Sequence, residues 1–237
     1  MLKANLIRAA IITSLLFLIS TVGFAQTTKT YIEKMSGWDS CSVCAGAHGK
    51  GATIAHSMVQ NITSPTLGKK SAEYKISGSA PYGAALWWKQ LGSVPSAHNF
   101  VYDLYYYMKN PTASQALEFD VNQSLSGHRF VFGTQCNIAA HTYDVWSVST
   151  RWIHTGIACS APKAYVWNHL TLEFQRTSTN KVKFVSVSIN GAKHYINRTF
   201  APETSGAKEL NVAFQMDGRH TLTAYQTWLE QVSLKYW

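Results

Sequence analysis

Charge is scarce in this 237-residue chain. Only 14% of its residues are Asp, Glu, Lys or Arg, against about 25% in an ordinary globular protein, so much of its surface is neutral-polar or aromatic. Acid is scarcer than base, with 12 Asp and Glu against 21 Lys and Arg. The bases are nevertheless dispersed, and Lys69-Lys70 is their one adjacent pair. A basic stripe for nucleic acid is therefore excluded, and the surplus favours anionic glycans at most. No spacing recurs, which excludes solenoids and tandem repeats. Beyond residue 25 no apolar run reaches the roughly 20 residues of a membrane span, and no stretch of a dozen residues keeps a helical period. Also missing are a nucleophile elbow, a phosphate-cradling glycine loop and a His-Glu-x-x-His helix.

The first 25 residues read as a secretory signal. Lys3 and Arg8 begin it, the apolar stretch from Ala9 to Ile19 follows, and Gly23-Phe24-Ala25 offers a small-residue cleavage site. The expectation is a secreted or periplasmic protein without membrane insertion. Four cysteines in an exported chain predict two disulfides. Three pairings exist; Cys136 with Cys159 across a long hairpin is favoured, leaving Cys41 with Cys44. Alternatives are a zinc site formed by Cys41, Cys44, His48 and His56, or a redox role for the Cys41–Cys44 pair.

What remains is rich in aromatics, at 13%. Residues 26–70 carry Gly, Ser, Thr and Ala without periodicity and read as a loop-rich, Cys-containing lead-in. Residues 71–237 alternate in short segments of Val, Tyr, Phe, Trp and Thr, which predicts an all-β antiparallel sandwich of jelly-roll type. Strands are expected at 72–77, 85–90, 99–108, 115–122, 129–135, 143–147, 165–176, 181–189, 193–197, 209–216 and 227–236. Asn190-Gly191 is the strongest hairpin signal, and Asp217-Gly218 reads as a strand end.

The segment Gln115–Gln123 carries the functional reading. Alternation along a strand places Glu118, Asp120 and Asn122 on one face and Leu117, Phe119 and Val121 on the other. Two carboxylates and an amide cannot be buried dry, so their face must meet water, a ligand or a metal. Trp87 and Trp88 point to opposite sides of their strand. Tyr105 and Tyr107, with Asp103, share one side of theirs. Aromatic rings cover the apolar face of a pyranose while carboxylates and amides bond its hydroxyls, so Glu118, Asp120, Asn122, Gln123, Trp87, Trp88, Tyr105 and Tyr107 are the candidate ligand-binding residues.

The strand Leu117–Gln123, the closing strand Trp228–Val232 and the hairpin Val185–Gly191 resemble concanavalin A-like lectin/glucanase domains. Within that superfamily, similarity to glycoside hydrolase family 16 implies Glu118 as nucleophile and Asp120 as its helper. Gln123 then stands at the acid/base position, where an amide delivers no proton; Asp103 or Glu173 would have to substitute. Similarity to legume-type lectins implies a glycan site beside Glu118-Phe119-Asp120, with room for one calcium ion on oxygen donors and with Asn122 and His128 as additional ligands. No cofactor is required otherwise. Likeness to alginate-lyase-like enzymes implies roles for Lys193, His194, Tyr195 and Arg198. The implied function is recognition of a polysaccharide or glycan, with retaining hydrolysis through Glu118 as the alternative and a non-catalytic structural or adhesion domain as a third.

Overall fold

The computed structural model describes residues 26–46 and 49–237; the segment 1–25, expected to be a secretory signal, and His48 of the zinc alternative lie outside them. The described residues build two antiparallel sheets packed face to face. The front sheet runs β10 (Arg151–Ala158), β9 (Thr142–Ser147), β8 (His128–Asn137), β7 (Ser114–Leu125), β15 (Glu209–Gly218), β5 (Ala84–Gln90) and β2 (Trp38–Cys41), with β14 (Glu203–Thr204) pairing against β8. The back sheet runs β13 (Ala192–Phe200), β12 (Val182–Ile189), β11 (Trp167–Arg176), β6 (Asn99–Met108), β16 (Tyr225–Tyr236), β4 (Ser71–Ser77) and β3 (Ala55–Ile62), with β1 (Thr27–Lys29) beside β16. This is the expected all-β jelly-roll sandwich. No described helix is long and apolar enough to cross a membrane.

Two-residue turns set the register. Ile189 pairs with Ala192 around Asn190 and Gly191, both at positive φ (50° and 85°), as the tight hairpin turn demands. Leu125 pairs with His128 around Ser126 and Gly127, also at positive φ. That second turn fixes β8 against β7 without a slip, and it therefore decides which side chains share the front face.

Aromatics fill the space between the sheets. Tyr74 of the back sheet meets Trp87 and Phe214 of the front at centroid distances of 5.2 and 5.0 Å. Phe132 of the front meets Phe100 and Phe174 of the back at 5.4 and 5.3 Å. Each such ring removes some 150–250 Å² from water. The Tyr74 contacts are edge-to-face, Phe132 is tilted against Phe100 and stacked on Phe174, and all four tie the sheets together.

The segment 26–70 departs from the loop-rich expectation. It supplies β1, β2 and β3, which edge both sheets, so the sandwich begins well before residue 71. Edge strands bury only alternate residues against one neighbour. β3 alternates exposed and half-buried positions along its whole length, which leaves too little apolar contrast to read. The disulfides pair Cys41 with Cys44 and Cys136 with Cys159. The first pair therefore offers no thiolates to zinc.

Candidate functional site

Strand β7 lies at the middle of the front sheet, between β8 and β15. Leu117, Phe119 and Val121 face the core, each at most 2% exposed. Glu118 and Asp120 turn outward and line an open cleft of about 320 Å³. A second lobe of about 240 Å³ adjoins it, sharing Glu118, Trp152 and Gly46.

Across the strands, outward side chains fall into rows. Asp120 sits opposite Gly133 on one side and Ala213 on the other. A methyl group at Gly133 would stand 3.0 Å from the Cβ of Trp146, so glycine here lets the indole close over the strand. Trp146 meets Trp152 edge-on at 5.3 Å, and both line the cleft. The next row carries Glu118, Gln135, Asp144 and His154. Buried Asp144 accepts from His154 Nδ1 (2.7 Å), Gln135 Nε2 (2.9 Å) and Asn137 Nδ2 (3.1 Å). Opposite Glu118 on the other side stands Gln215, whose Nε2 donates to Glu118 Oε1 at 2.5 Å and to Asp217 Oδ1 at 3.0 Å. The Gly46 N–H donates to Gln215 Oε1 at 3.3 Å. The loop of the Cys41–Cys44 disulfide thereby becomes one wall of the cleft.

Three carboxyls crowd this site. Burial, with Asp217 and Asp120 close by, pushes the Glu118 carboxyl well above its ordinary range. Burial raises Asp217 to about 6, while hydrogen bonds from Glu118 and Gln215 hold it back. Asp120 is raised by burial to about 7, against the opposing effects of the Thr134 N–H (3.1 Å) and the Arg129 cation. Like charges this close cannot all ionise, so the cluster favours a protonated Glu118. At the other end of the cleft stand Arg129, Arg151 and Glu203.

The candidate residues separate. Glu118 and Asp120 come together in the cleft. Asn122 shares their face but lies outside the cleft lining, donating to Asn211 Oδ1 at 3.0 Å. Trp88 is half-buried on the same face, also outside the lining. Trp87 points the other way and is 1% exposed in the core, which removes it as a stacking platform. Gln123 is corrected likewise. It is 1% exposed, donates to the carbonyls of Val94 and Ala97, and accepts from Arg176 Nε at 3.0 Å. Without a bulge in the β7–β8 pairing, a residue five places after Glu118 must face inward. Tyr105 and Tyr107 lie on the outer side of the back sheet, away from the cleft. There Tyr105 stacks on His169 at 4.3 Å.

The substitute acids are elsewhere too. Asp103 accepts from His169 Nε2 (2.9 Å) and Thr171 Oγ1 (2.5 Å) on the back sheet. Glu173 pairs with Lys193 at 2.8 Å, which also occupies one of the groups considered for lyase chemistry. The second carboxyl at the site is Asp217. Asp217-Gly218 reads as a strand end in the sequence, yet β15 continues through Asp217 and pairs it with Ala116 and Ala84. Trp146, Trp152, Arg129, Arg151 and the Asp144–His154 pair were also missed. One signal was available: Asp144 and Trp146 are two residues apart and share a strand face, as Glu118 and Asp120 do.

No protein-family model and no curated protein matches the chain. Among solved structures, the cellulose induced protein Cip1 superposes with a TM-score of 0.51 at 10% identity, covering 83% of this chain and 90% of that one. The carbohydrate esterase vb_24B_21 from the Shiga toxin-encoding bacteriophage phi24B gives 0.49 at 16% identity, over 90% of this chain and 99% of the other. Arcelin-5, a lectin-like defense protein from Phaseolus vulgaris, gives 0.49 at 9% identity, over 90% and 98%. The likeness is one of fold, a two-sheet β-sandwich.

Proposed function

We propose that this is a secreted carbohydrate-binding protein that recognises a polysaccharide or glycan in the front-sheet cleft. One observation carries the reading: two indoles, Trp146 and Trp152, stand beside carboxyls and guanidinium groups in an open trough. Its main lobe of about 320 Å³ falls at the small end of the range for sites of small ligands. Indole faces suit the C–H side of a pyranose, and Asp120, Glu118, Gln215 and Arg129 supply donors and acceptors for hydroxyls. The two disulfides support export. Affinity electrophoresis and a glycan array test the reading. Retardation by at least one polysaccharide, weakened in Trp152→Ala, is expected; a folded protein that binds nothing on either assay refutes it.

A second reading, glycoside hydrolysis, is supported by Glu118 and Asp217 meeting on the Gln215 amide, with burial raising both carboxyls. A protonated Glu118 is suited to deliver a proton to a leaving oxygen rather than to attack carbon, the reverse of the role that the family resemblance implies. Ionised Asp217 or Asp120 is then left as the second carboxylate. Release of reducing ends from mixed polysaccharides, abolished in Glu118→Gln and in Asp217→Asn, would establish hydrolysis. Binding without release would leave recognition alone.

A further inference from the structure

Among the described residues, two arginines in the cleft have no hydrogen-bond or ion-pair partner, and the contrast with a third is informative. Arg176, inside the sandwich, donates to Gln123 Oε1, Asn180 Oδ1 and the carbonyls of Pro95 and Ala97, and its Nη2 lies 3.0 Å from His98 Nε2. Arg129 lines the cleft half-buried, and its Nε is sealed from water with no hydrogen-bond partner. Among the described residues no carboxylate lies within ion-pair distance of it.

The nearby acids are engaged elsewhere. Glu203, paired with Arg129 between β14 and β8, accepts from Trp146 Nε1 at 3.3 Å. Glu209 accepts from Gln90 at 2.6 Å and Ser124 at 3.4 Å. Asp120 accepts the Thr134 N–H. On the same wall Arg151 holds a left-handed φ of 68° and rests its guanidinium 5.3 Å from the Trp146 ring. Non-glycine residues adopt that φ at a cost, and here it keeps the cation at the mouth of the cleft.

We propose that the cleft takes an acidic glycan whose sugar carboxylate seats on Arg129, with Arg151 beside it and the pyranose lying against Trp146 and Trp152. The proposal rests on the glycan reading given above. Arg129 Nε is sealed without a hydrogen-bond partner, which is unfavourable, and an arriving anion meets the rest of its half-buried guanidinium, which lines the cleft. A carboxylate matches the planar guanidinium fork with two parallel bonds; a sulfate ester offers the same charge without that planarity. At the opposite end of the cleft, the raised carboxyls of Glu118 and Asp217 carry less of the negative charge that would repel such a ligand.

The test uses the full chain with alginate and pectate, their carboxyl-reduced neutral counterparts, and a sulfated neutral polysaccharide, read by affinity electrophoresis and titration calorimetry. At least one uronan is expected to bind tenfold or more tighter than its reduced form and than the sulfated polymer. Arg129→Gln should erase that difference and Arg129→Lys restore only part of it. Lys181→Gln, which removes the same charge from an exposed turn of the back sheet, should leave it intact. If Arg129→Gln does not fold, exposed Arg151→Gln serves instead, with a loss of about threefold.

Equal binding of charged and reduced polymers, preference for the sulfated one, or a preference unmoved by both arginine variants overturns the carboxylate seat and leaves glycan recognition standing. Failure of the folded wild-type protein to bind any of these polymers, or any glycan on the array, removes the glycan reading itself.

Discussion

Two sets of buried carboxyls in this molecule are surrounded in different ways. On the back sheet, Glu230 is fully buried and accepts from the Leu67 N–H (2.6 Å), the Lys69 N–H (3.0 Å) and Thr66 Oγ1 (2.9 Å). Glu33, equally buried, accepts the N–H groups of Gln231 and Val232 at 3.2 and 3.0 Å. These two satisfy backbone donors and fasten chain segments to the strand β16. In the cleft, Glu118 accepts from one side-chain amide and faces two further acids. Burial alone therefore says little about the role of a carboxylate. A group encircled by backbone donors is an anchor, whereas a group crowded by its own kind at the floor of a trough is pushed toward its protonated form.

The largest expected effect tests the anchor. Glu230→Ala leaves two backbone N–H groups without an acceptor beneath their loop. It should cost about 4 kcal/mol and lower the melting temperature by on the order of 10 °C in a thermal scan. A loss as small as that of a surface substitution would erase the distinction.

Next comes pH. The raised carboxyls of Asp217 (about 6) and Asp120 (about 7), with Glu118 higher than its ordinary range, stabilise the fold while protonated. That contribution is complete below their unfolded values near 4 and is withdrawn as pH rises through the folded ones. Melting temperature should therefore fall between pH 4 and pH 7, by an amount equivalent to on the order of 3 kcal/mol. Glu118→Gln keeps the amide-sized side chain but has no proton to lose, and should flatten the fall. An unchanged slope in that variant would mean that the cluster is not crowded.

A smaller effect separates the two outer faces as binding surfaces. Trp152→Ala should weaken glycan affinity about tenfold, near 1.4 kcal/mol, measured by calorimetry, while leaving the fold intact. The smallest effect belongs to the opposite face: Tyr105→Ala should change that affinity by less than about twofold. A large loss there would move the site to the back sheet.

Several of these features were legible along the chain because they are local. The alternation in β7 separates Glu118 and Asp120 from Leu117 and Phe119 without reference to any other strand. Asn190-Gly191 announces its hairpin through the positive φ that both positions require. The same alternation also turns Gln123 inward, but the likeness to a hydrolase strand, which places a third site residue there, pointed the other way. Trp87 and Trp88 differ by one position, so opposite orientations were certain and the choice between them was not. Contact of Trp87 with Phe214 and Tyr74 made that choice. β3 and β10 escaped notice because each edges its sheet and buries too few residues to leave a pattern.

Sequence by itself determined a two-sheet β architecture and an outward-facing acidic strand, since each follows from residue type and a period of two. The tertiary structure alone decided that Tyr105 and Tyr107 lie behind the molecule and that Asp217, Trp146, Trp152, Arg129 and Arg151 gather around Glu118. Alternation specifies a face of one strand. Which strands lie side by side, and which sheet they join, depends on packing between residues distant in the chain.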